Sequence, residues 1–462
     1  MISYGCDQDL SMKGGINIPN KDFITALFNI DMESIEQMYS AKVQHTFHYH
    51  LTFKLTRHLC PYCGGKTISH GKKQRLVHHP NLVDFDGIIH YHARRYICKD
   101  CNHTFFERNP FTFANFTNSI ALINRVMKQL SNLDLSFFRI AELNHISVTT
   151  IQLYLDSYVS TPIPSLPENL GIDELHSKMS ANDSAYLCVL IDNENRYPID
   201  ILNSRSKLNL NRHFEKYPLI ERNKVKYVTI DMWQPYKDVV LRQFKNCKVA
   251  VDPFHVVKHL CDAFTKIRIT IMNQCPYNSD SYYLLKRWHF LLDKNDINLD
   301  NDPQYNHRFN RKLSRRNLLD MIFAISDKLL DAYNLKFAYQ QFNDFATSDN
   351  CQPWLDNLIH SFSTTYILEY HNFAALLINW RVEIINSFER PHNDRKQSNA
   401  LAENINSKLR AYLALIRGSH NFTRFRKRVL FALNPKIFYA LSSRLSSDKF
   451  SMPPRGSYLK NL

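Results

Sequence analysis

Two Cys-x-x-Cys pairs constrain this chain more than any other feature: Cys60-Pro61-Tyr62-Cys63 and Cys98-Lys99-Asp100-Cys101. Each pair presents two thiols on a tight turn, the spacing that lets one tetrahedral zinc ion take both sulfurs of each. Four thiolates close the coordination sphere, so the ion would be structural and its binding would fold a small unit. The stretch between the pairs and just before it alternates polar and apolar residues, as in His45-Thr46-Phe47-His48-Tyr49-His50 and Ile88-Ile89-His90-Tyr91-His92, which is strand periodicity. Buried core positions or redox thiols are the other reading of such cysteines. Nearby histidines (His58, His70, His78, His79, His90, His92, His103) are possible substitute ligands, but with four cysteines at hand they read as surface or DNA-facing groups. The remaining cysteines, Cys6, Cys188, Cys247, Cys261, Cys275 and Cys351, follow no spacing, so the set indicates metal binding in a reducing compartment and not a disulfide framework.

The chain is long enough, at 462 residues, for several domains and a substantial core. Its 44% apolar and 13% aromatic content, with 22% charged residues, excludes a disordered or fibrous protein. Lys and Arg number 58 against 43 Asp and Glu, a formal charge of +15, so a polyanion is the natural partner. A ribosome or membrane surface fits such a balance too. No long uncharged apolar run is present, and Met1 to Asp22 lacks the basic-then-apolar layout of a signal peptide, so a cytosolic location and no membrane partner are expected.

No internal repeat is visible, and four zones differ in pattern. Strand periodicity over 45 to 108 gives way to helical spacing over 117 to 160, where Ile120, Ile123, Val126, Met127 and Leu130 share a face. Within it, Ser136 to Leu143 and Val148 to Tyr158 are two short helices joined by Asn144-His145-Ile146-Ser147, with Ser147 as N-cap. This is a helix-turn-helix layout, in which Thr149, Thr150 and Gln152 would face bases or phosphates. A plain packing hairpin has the same pattern. Three prolines in Thr161-Pro162-Ile163-Pro164-Ser165-Leu166-Pro167 favour an extended link, which sets the main domain boundary.

Beyond the link the order reads β-β-β-α-β-α-β-α: strands Leu170 to Glu174, Ala185 to Ile191, Tyr197 to Leu202, Val225 to Ile230 and Lys248 to Val251, and helices Leu208 to Tyr217, Pro235 to Phe244 and one from Phe254. Residues 276 to 395 read as all-helical around a basic loop with Arg308, Arg311, Lys312, Arg315 and Arg316. A last helical zone runs from Gln397, with Ser398 as N-cap, to Arg417-Gly418, before the basic Arg424, Arg426, Lys427 and Arg428. Asp173 and Asp231 both end apolar strand runs, where a carboxylate caps a turn, pairs with a cation or binds a metal. Adjacent first and fourth strands would let the two share a divalent ion. On the last helix Asn399, Glu403, Asn406 or Ser407, and Arg410 fall on one face, a polar stripe that is either a solvated face or a third contributor to that site. Two Mg²⁺ ions held by Asp173, Asp231 and Glu403 would drive an in-line displacement at phosphorus without a nucleophilic side chain, in keeping with the absence of a Ser or Cys elbow or a Gly-rich phosphate loop.

These residues taken together resemble the bacterial insertion-sequence transposases of the ISL3 family. The resemblance runs through both cysteine pairs, Gly171-Ile172-Asp173-Glu174, Asp231-Met232-Trp233-Gln234-Pro235-Tyr236, Asp252-Pro253-Phe254-His255-Val256-Val257, Ser398-Asn399-Ala400-Leu401-Ala402-Glu403-Asn404-Ile405-Asn406 and Asn421-Phe422-Thr423-Arg424-Phe425-Arg426. It implies an RNase H-like core of mixed α/β structure whose catalytic acids are Asp173, Asp231 and Glu403. It also assigns Asp252 and His255 to an Asp-x-x-His element that either braces the core or acts in catalysis. Ala400 and Asn404 stand where the family often has glycine. The implied organisation is multidomain: an N-terminal segment (1–44), a zinc ribbon (45–110), a helix-turn-helix unit (115–160), a catalytic core (168–275 and 396–440), a helical insertion (276–395) and a tail (441–462).

The implied cofactors are two Mg²⁺ or Mn²⁺ ions and one structural Zn²⁺. The implied activity is binding of terminal inverted repeats, metal-dependent strand cleavage and joining of 3′-hydroxyls to target DNA. Partners would be double-stranded DNA, contacted by Thr149, Thr150, Gln152, Arg311, Lys312, Arg315, Arg316, Arg424, Arg426, Lys427 and Arg428, and a second copy of the chain in a homodimer or larger assembly. The expected place of action is the bacterial cytosol at the nucleoid. The alternatives are an inactive or repurposed transposase that regulates by binding DNA, and an RNA nuclease. A recognition helix argues against the latter because the major groove of A-form RNA excludes one.

Overall fold

The computed structural model describes residues 28, 30–80, 86–113, 116–179, 185–293, 297–391, 397–416 and 421–441. The readings made above for Met1 to Asp22, Cys6, the helix end at Arg417-Gly418 and the tail beyond Leu441 lie outside the described residues. The chain divides into two units, one of Met1–Pro162, Ala414–Ser419 and Thr423–Leu462, the other of Ile163–Leu413 and His420–Phe422. The first division falls inside the proline-rich link, where fixed φ and missing N–H donors keep the backbone out of helix and sheet.

In the first unit, strands β1 (Ile35–Val43), β2 (Thr46–Phe53), β3 (Thr67–Pro80), β4 (Asp86–Cys98) and β5 (Thr104–Phe106) form one sheet of order β1-β2-β4-β3, with β5 also on β4. Strand structure starts ten residues before the alternating zone that announces it. The reason is that β1 is an edge strand with no buried residue, so burial never imposes alternation on its sequence. One sheet face packs Leu51, Val77, Ile89, Tyr91 and Ala93 against Phe28 and Phe111. His79 is among the buried residues, beside Ser119, and not on the surface as its sequence context suggested.

Three helices follow: α1 (Ile120–Leu130), α2 (Phe137–Asn144) and α3 (Val148–Tyr158). Ser119, Ser136 and Ser147 each accept the backbone N–H of the third residue of their helix, satisfying a donor that the helix itself leaves open. His145, at a φ of 49°, ends α2 in the left-handed region. Leu122, Ile123, Val126, Met127 and Leu130 of α1 meet Ile140, Ile151, Tyr154, Leu155 and Tyr158 in a separate small core.

In the second unit, β6 (Asn169–His176), β7 (Tyr186–Asp192), β8 (Tyr197–Leu202), β9 (Tyr227–Ile230) and β10 (Lys248–Val251) form a mixed sheet of order β10-β9-β6-β7-β8. The strands β10, β9 and β6 are parallel, while β6, β7 and β8 are antiparallel. The connecting helices are α4 (Lys207–Phe214), α5 (Leu219–Arg222), α6 (Gln234–Gln243) and α7 (Pro253–Gln274). Their apolar sides, with Phe214, Tyr236, Val240, Phe244 and Val256, share a core with Leu170, Ile172 and Leu190 of the sheet.

Residues 276 to 395 are mostly helical: α8 (Asp280–Arg287), α9 (Phe290–Asp293), α10 (Arg315–Phe323), α11 (Asp327–Phe345), α12 (Cys351–Thr364), α13 (Leu368–Asn379) and α14 (Arg381–Asn386). The all-helical reading needs correcting, because β11 (Gln304–Asn306) and β12 (Arg311–Leu313) form a hairpin in the basic segment. Asn310 turns it at a φ of 49°, and Asn306 accepts the Arg308 N–H, so turn chemistry overrides the weak local pattern. Finally come α15 (Ala400–Leu415) and α16 (Phe422–Leu433). The N–H of Glu403 donates to the Asn399 carbonyl, so Asn399, not Ser398, stands at the amino end of α15. Most of α16 packs with the first unit and not with the core to which its sequence was assigned, because Phe431 joins the core of α1 to α3.

Candidate functional site

The four predicted thiols converge. Cys60 Sγ lies 3.6 Å from Cys101 Sγ, Cys63 Sγ 3.5 Å from Cys98 Sγ and 3.3 Å from Cys101 Sγ, and all four lie within 4.8 Å of one another. A tetrahedron of Zn–S bonds of about 2.3 Å has edges of roughly 3.8 Å, so the group fits one zinc ion. The cluster forms because β3 and β4 start and finish there, Thr67 facing Cys98. Gly64 takes a φ of 74°, and a side chain at Gly65 would come within 2.1 Å of Asp100. Backbone N–H groups, that of Cys101 first, pull the Cys98 thiol down to about 7, whereas against the Gly65 N–H the sulfurs of Cys101 and Cys98 push the Cys63 thiol up to about 12.

The second centre is set by strand register. Gly171 pairs with Thr229 across β6 and β9, and Ile230 with Val251 across β9 and β10. Carried two residues on and one residue on, respectively, the same registers set Asp173, Asp231 and Asp252 abreast. Asp231 and Asp252 stand just past the carboxyl ends of β9 and β10, where α/β sheets place ligands. Asp173 lies inside β6, which stays paired with β7 as far as His176 and so does not end at this acid as its sequence suggested. A ligand atom from each of Asp173, Asp231 and His255 lies within 4.8 Å of the others. Asp252 caps α7, accepting the Phe254 N–H at 3.3 Å, and His255 stands on the first turn of that helix.

From α15, Asn406 donates to Asp173 Oδ2 at 2.7 Å and to the Glu174 carbonyl at 3.1 Å, and Asn399 donates to the Ile172 carbonyl at 3.2 Å. Glu403 is half-buried and lies outside the 4.8 Å group, although its charge is felt at both Asp173 and Asp252. Ser407 and Arg410 face outward, so the polar stripe of α15 divides, its Asn399 and Asn406 side serving the acids. Gln397 was not singled out by sequence. It is buried and its Oε1 accepts from Asn169 at 2.9 Å and Thr229 at 3.3 Å, tying β6 to β9 beneath the aspartates. Polar residues at matching register on two apolar strands were its only trace.

Burial and then the charge of Asp231 push the Asp173 carboxyl up to about 7, with Asp252 and Glu403 adding to the shift and His255 opposing it. Burial likewise raises Asp252, against His255 and the N–H groups of Phe254 and Asn399. Among the described residues no Lys or Arg forms an ion pair with Asp173, Asp231 or Asp252, so the excess negative charge suits a divalent cation. A carboxyl whose folded pKa lies above its unfolded value, about 3.9, stabilises the fold below the unfolded value and loses that contribution as pH rises through the folded one. Without added divalent ion, Asp173→Asn therefore gains stability over the native chain between about pH 4 and 7, on the order of 4 kcal/mol at most. Melting temperatures of the two chains across that range check this; parallel profiles would refute it.

The basic residues proposed for DNA separate into three kinds. Arg311 and Lys312 are exposed on β12. Arg316 makes a bidentate pair with Asp300 at 2.6 and 2.8 Å, and Arg315 donates to the Asn298 carbonyl at 3.2 Å. Those of α16 brace α3: Arg424 donates to Asp156 at 2.8 Å and to Gln152 at 3.0 Å, Lys427 to the Asp156 carbonyl at 2.9 Å, and Arg426 to Thr161 at 3.3 Å. Gln152 is thus engaged, Thr150 bonds Ser147 at 2.8 Å, and Thr149 is exposed.

Arg428 is a correction. It is 0% exposed and donates to the carbonyls of Leu130, Asn132 and Leu135 at the end of α1, so it cannot reach DNA. Its guanidinium also lies 4.7 Å from the ring centre of Phe137. Arg428→Met leaves those carbonyls without a partner and lowers stability by roughly 2–4 kcal/mol, while the salt dependence of DNA binding by the folded chain stays unchanged. Denaturant unfolding and binding titrations at several salt concentrations measure both.

Four convergent thiols on one unit and convergent Asp173, Asp231 and His255 on the other define a zinc-ribbon α/β protein with a second candidate metal centre. Comparison with known proteins agrees. The ISL3 transposase family matches residues 170–429, and the zinc-finger of the transposases of IS204, IS1001, IS1096 and IS1165 matches residues 56–101. The transposase for insertion sequence element IS1001 of Bordetella parapertussis is 26% identical over 278 residues, 59% of this chain and 66% of that protein. The chain belongs to the ISL3 family of transposases. Among the described residues no helix is long and apolar enough to cross a membrane.

Proposed function

We propose that this protein is a DNA transposase that binds the terminal inverted repeats of its element, cuts the strand ends in a metal-dependent reaction and joins the freed 3′-hydroxyls to target DNA. The observation that carries this reading is the in-register meeting of Asp173, on β6, and Asp231, just past the end of β9, in a chain of this family. The strand order β10-β9-β6-β7-β8 supports an RNase H-like core. Asp173 and Asp231, with Glu403 from α15, would hold two divalent ions. Bound there, such ions activate a water or 3′-hydroxyl and stabilise the leaving oxygen at phosphorus.

The chain's own residues do the positioning. Asn406 holds the Asp173 carboxylate by its Oδ2, Gln397 fixes β6 against β9, and Asp252 anchors the turn that carries His255. In the first unit the zinc ribbon and the α2–α3 pair, read as a helix-turn-helix, bind duplex DNA. Thr149, at the exposed start of α3, makes the first contact with a base edge or phosphate. Arg424 and Lys427 hold α3 in place, and Arg311 and Lys312 contact the DNA backbone. Two DNA ends must meet for transposition, so the working form is a dimer or larger.

A labelled duplex carrying the element's ends, incubated with the chain and Mg²⁺ or Mn²⁺, should yield nicked or cut ends and joined products. End-specific binding with no cutting under either ion would instead make the protein a DNA-binding regulator.

A further inference from the structure

We propose that His255 is a direct ligand of the catalytic metal beside Asp173 and Asp231, so that the centre prefers a first-row transition ion, Mn²⁺ or Co²⁺, over Mg²⁺. This rests on the reading that Asp173 and Asp231 bind metal.

The convergent group is two carboxylates and one imidazole, with Glu403 outside it. Asp252 behaves as the partner that a metal-bound histidine requires. It is 1% exposed, its Oδ1 is spent capping α7, and its Oδ2 has no hydrogen-bond partner although it lies 3.9 Å from His255 Nε2. Metal-ligating histidines almost always donate their second N–H to a carboxylate, carbonyl or water, and that donation directs the lone pair of the other ring nitrogen at the ion. A small rotation of His255 satisfies the orphaned Oδ2 and fixes the tautomer in one step.

The Asp-x-x-His spacing has a physical reason. The aspartate caps the helix, and the histidine three residues later projects from its first turn, over the end of the sheet. An N-cap carboxylate alone would need no histidine there.

Ligand type decides the ion. Mg²⁺ demands oxygen donors in near-ideal octahedral geometry, whereas imidazole suits transition ions, whose affinity for such sites rises from Mn²⁺ to Co²⁺.

The test uses the full chain with its ribbon zinc in place. Mn²⁺ binding is followed by the loss of the free-ion electron paramagnetic resonance signal, with Mg²⁺ as competitor, and pulsed measurements read nitrogen coupling to bound Mn²⁺. The native chain should bind Mn²⁺ at least tenfold more tightly than Mg²⁺ and show nitrogen coupling. His255→Asn should lose the coupling, Asp252→Asn should weaken binding by about 10–100-fold, and His255→Asp should shift preference toward Mg²⁺. Bound Mn²⁺ without nitrogen coupling in the native chain, or coupling that survives His255→Asn, overturns the ligand role while leaving the acids as metal ligands. Undiminished Mn²⁺ binding by Asp231→Asn overturns the metal-centre reading itself, and the proposal with it.

Discussion

Asp231→Asn should lose strand cleavage and joining by about a thousandfold or more while still binding the element's ends. Metal activation of nucleophile and leaving group accounts for several kcal/mol of barrier, and each 1.36 kcal/mol is about tenfold in rate. The asparagine side chain keeps the size of the aspartate but gives up the charge that holds the ion. The substitution also relieves Asp173, whose carboxyl is pushed up to about 7 by burial and by its Asp231 neighbour. The variant should therefore be at least as stable as the native chain, so that lost activity cannot be traced to unfolding. On the proposed division of labour, the base contact at Thr149 belongs to the first unit and Asp231 to the second, so end binding should change by less than about twofold. Gel-shift titration and cleavage of the same labelled duplex measure both. Residual cutting within about tenfold of the native rate would remove Asp231 from the catalytic set.

The second large effect is loss of zinc. Structural zinc sites supply on the order of 10 kcal/mol to small folds, and β3, most of which is exposed, adds little apolar burial of its own at this end of the ribbon. Cys63→Ser, or removal of zinc by a chelator, should unfold the four-cysteine end of the ribbon and abolish end-specific binding. Cys63 is the ligand of choice because it is exposed and its loss leaves no cavity in a core. Strand signals in the circular dichroism spectrum, one bound zinc per chain by metal analysis and duplex binding should fall together. Zinc content that survives the substitution would mean that three thiols suffice or that a nearby histidine takes the fourth place. Cys188, buried in the sheet of the second unit, serves as the contrast: its replacement by Ala should leave zinc content and end binding intact.

Much of the fold was legible where local chemistry dictates structure. The ranges Tyr197–Leu202 and Lys248–Val251 read directly from short, largely apolar runs, interrupted by Pro198 and Asp200 in the first, of the kind buried strands favour. The serine cap of α3 likewise follows from a short polar side chain at the turn before an apolar helix, whereas Ser136, read as the first helical residue, turns out to cap α2. Edge strand β1 and the hairpin of β11 and β12 escaped, because neither buries enough of itself to impose a period. Arg428 was misread for a related reason. A basic run gives no sign of which member turns inward, and three helix-end carbonyls contributed by residues some 300 positions earlier decided it.

The sequence by itself determined the composition of both centres: thiol pairs at zinc spacing, aspartates that follow apolar runs, and a helix carrying Glu403 and Asn406. These are properties of residue type and of spacing within one element, which short-range geometry governs. Tertiary structure alone decided which of them meet. Parallel register across β10, β9 and β6 sets three aspartates abreast, and the first turn of α7 brings His255, not Glu403, within 4.8 Å of Asp173 and Asp231. Register is a long-range property, fixed by the packing of whole strands against a shared core, and no segment encodes it alone.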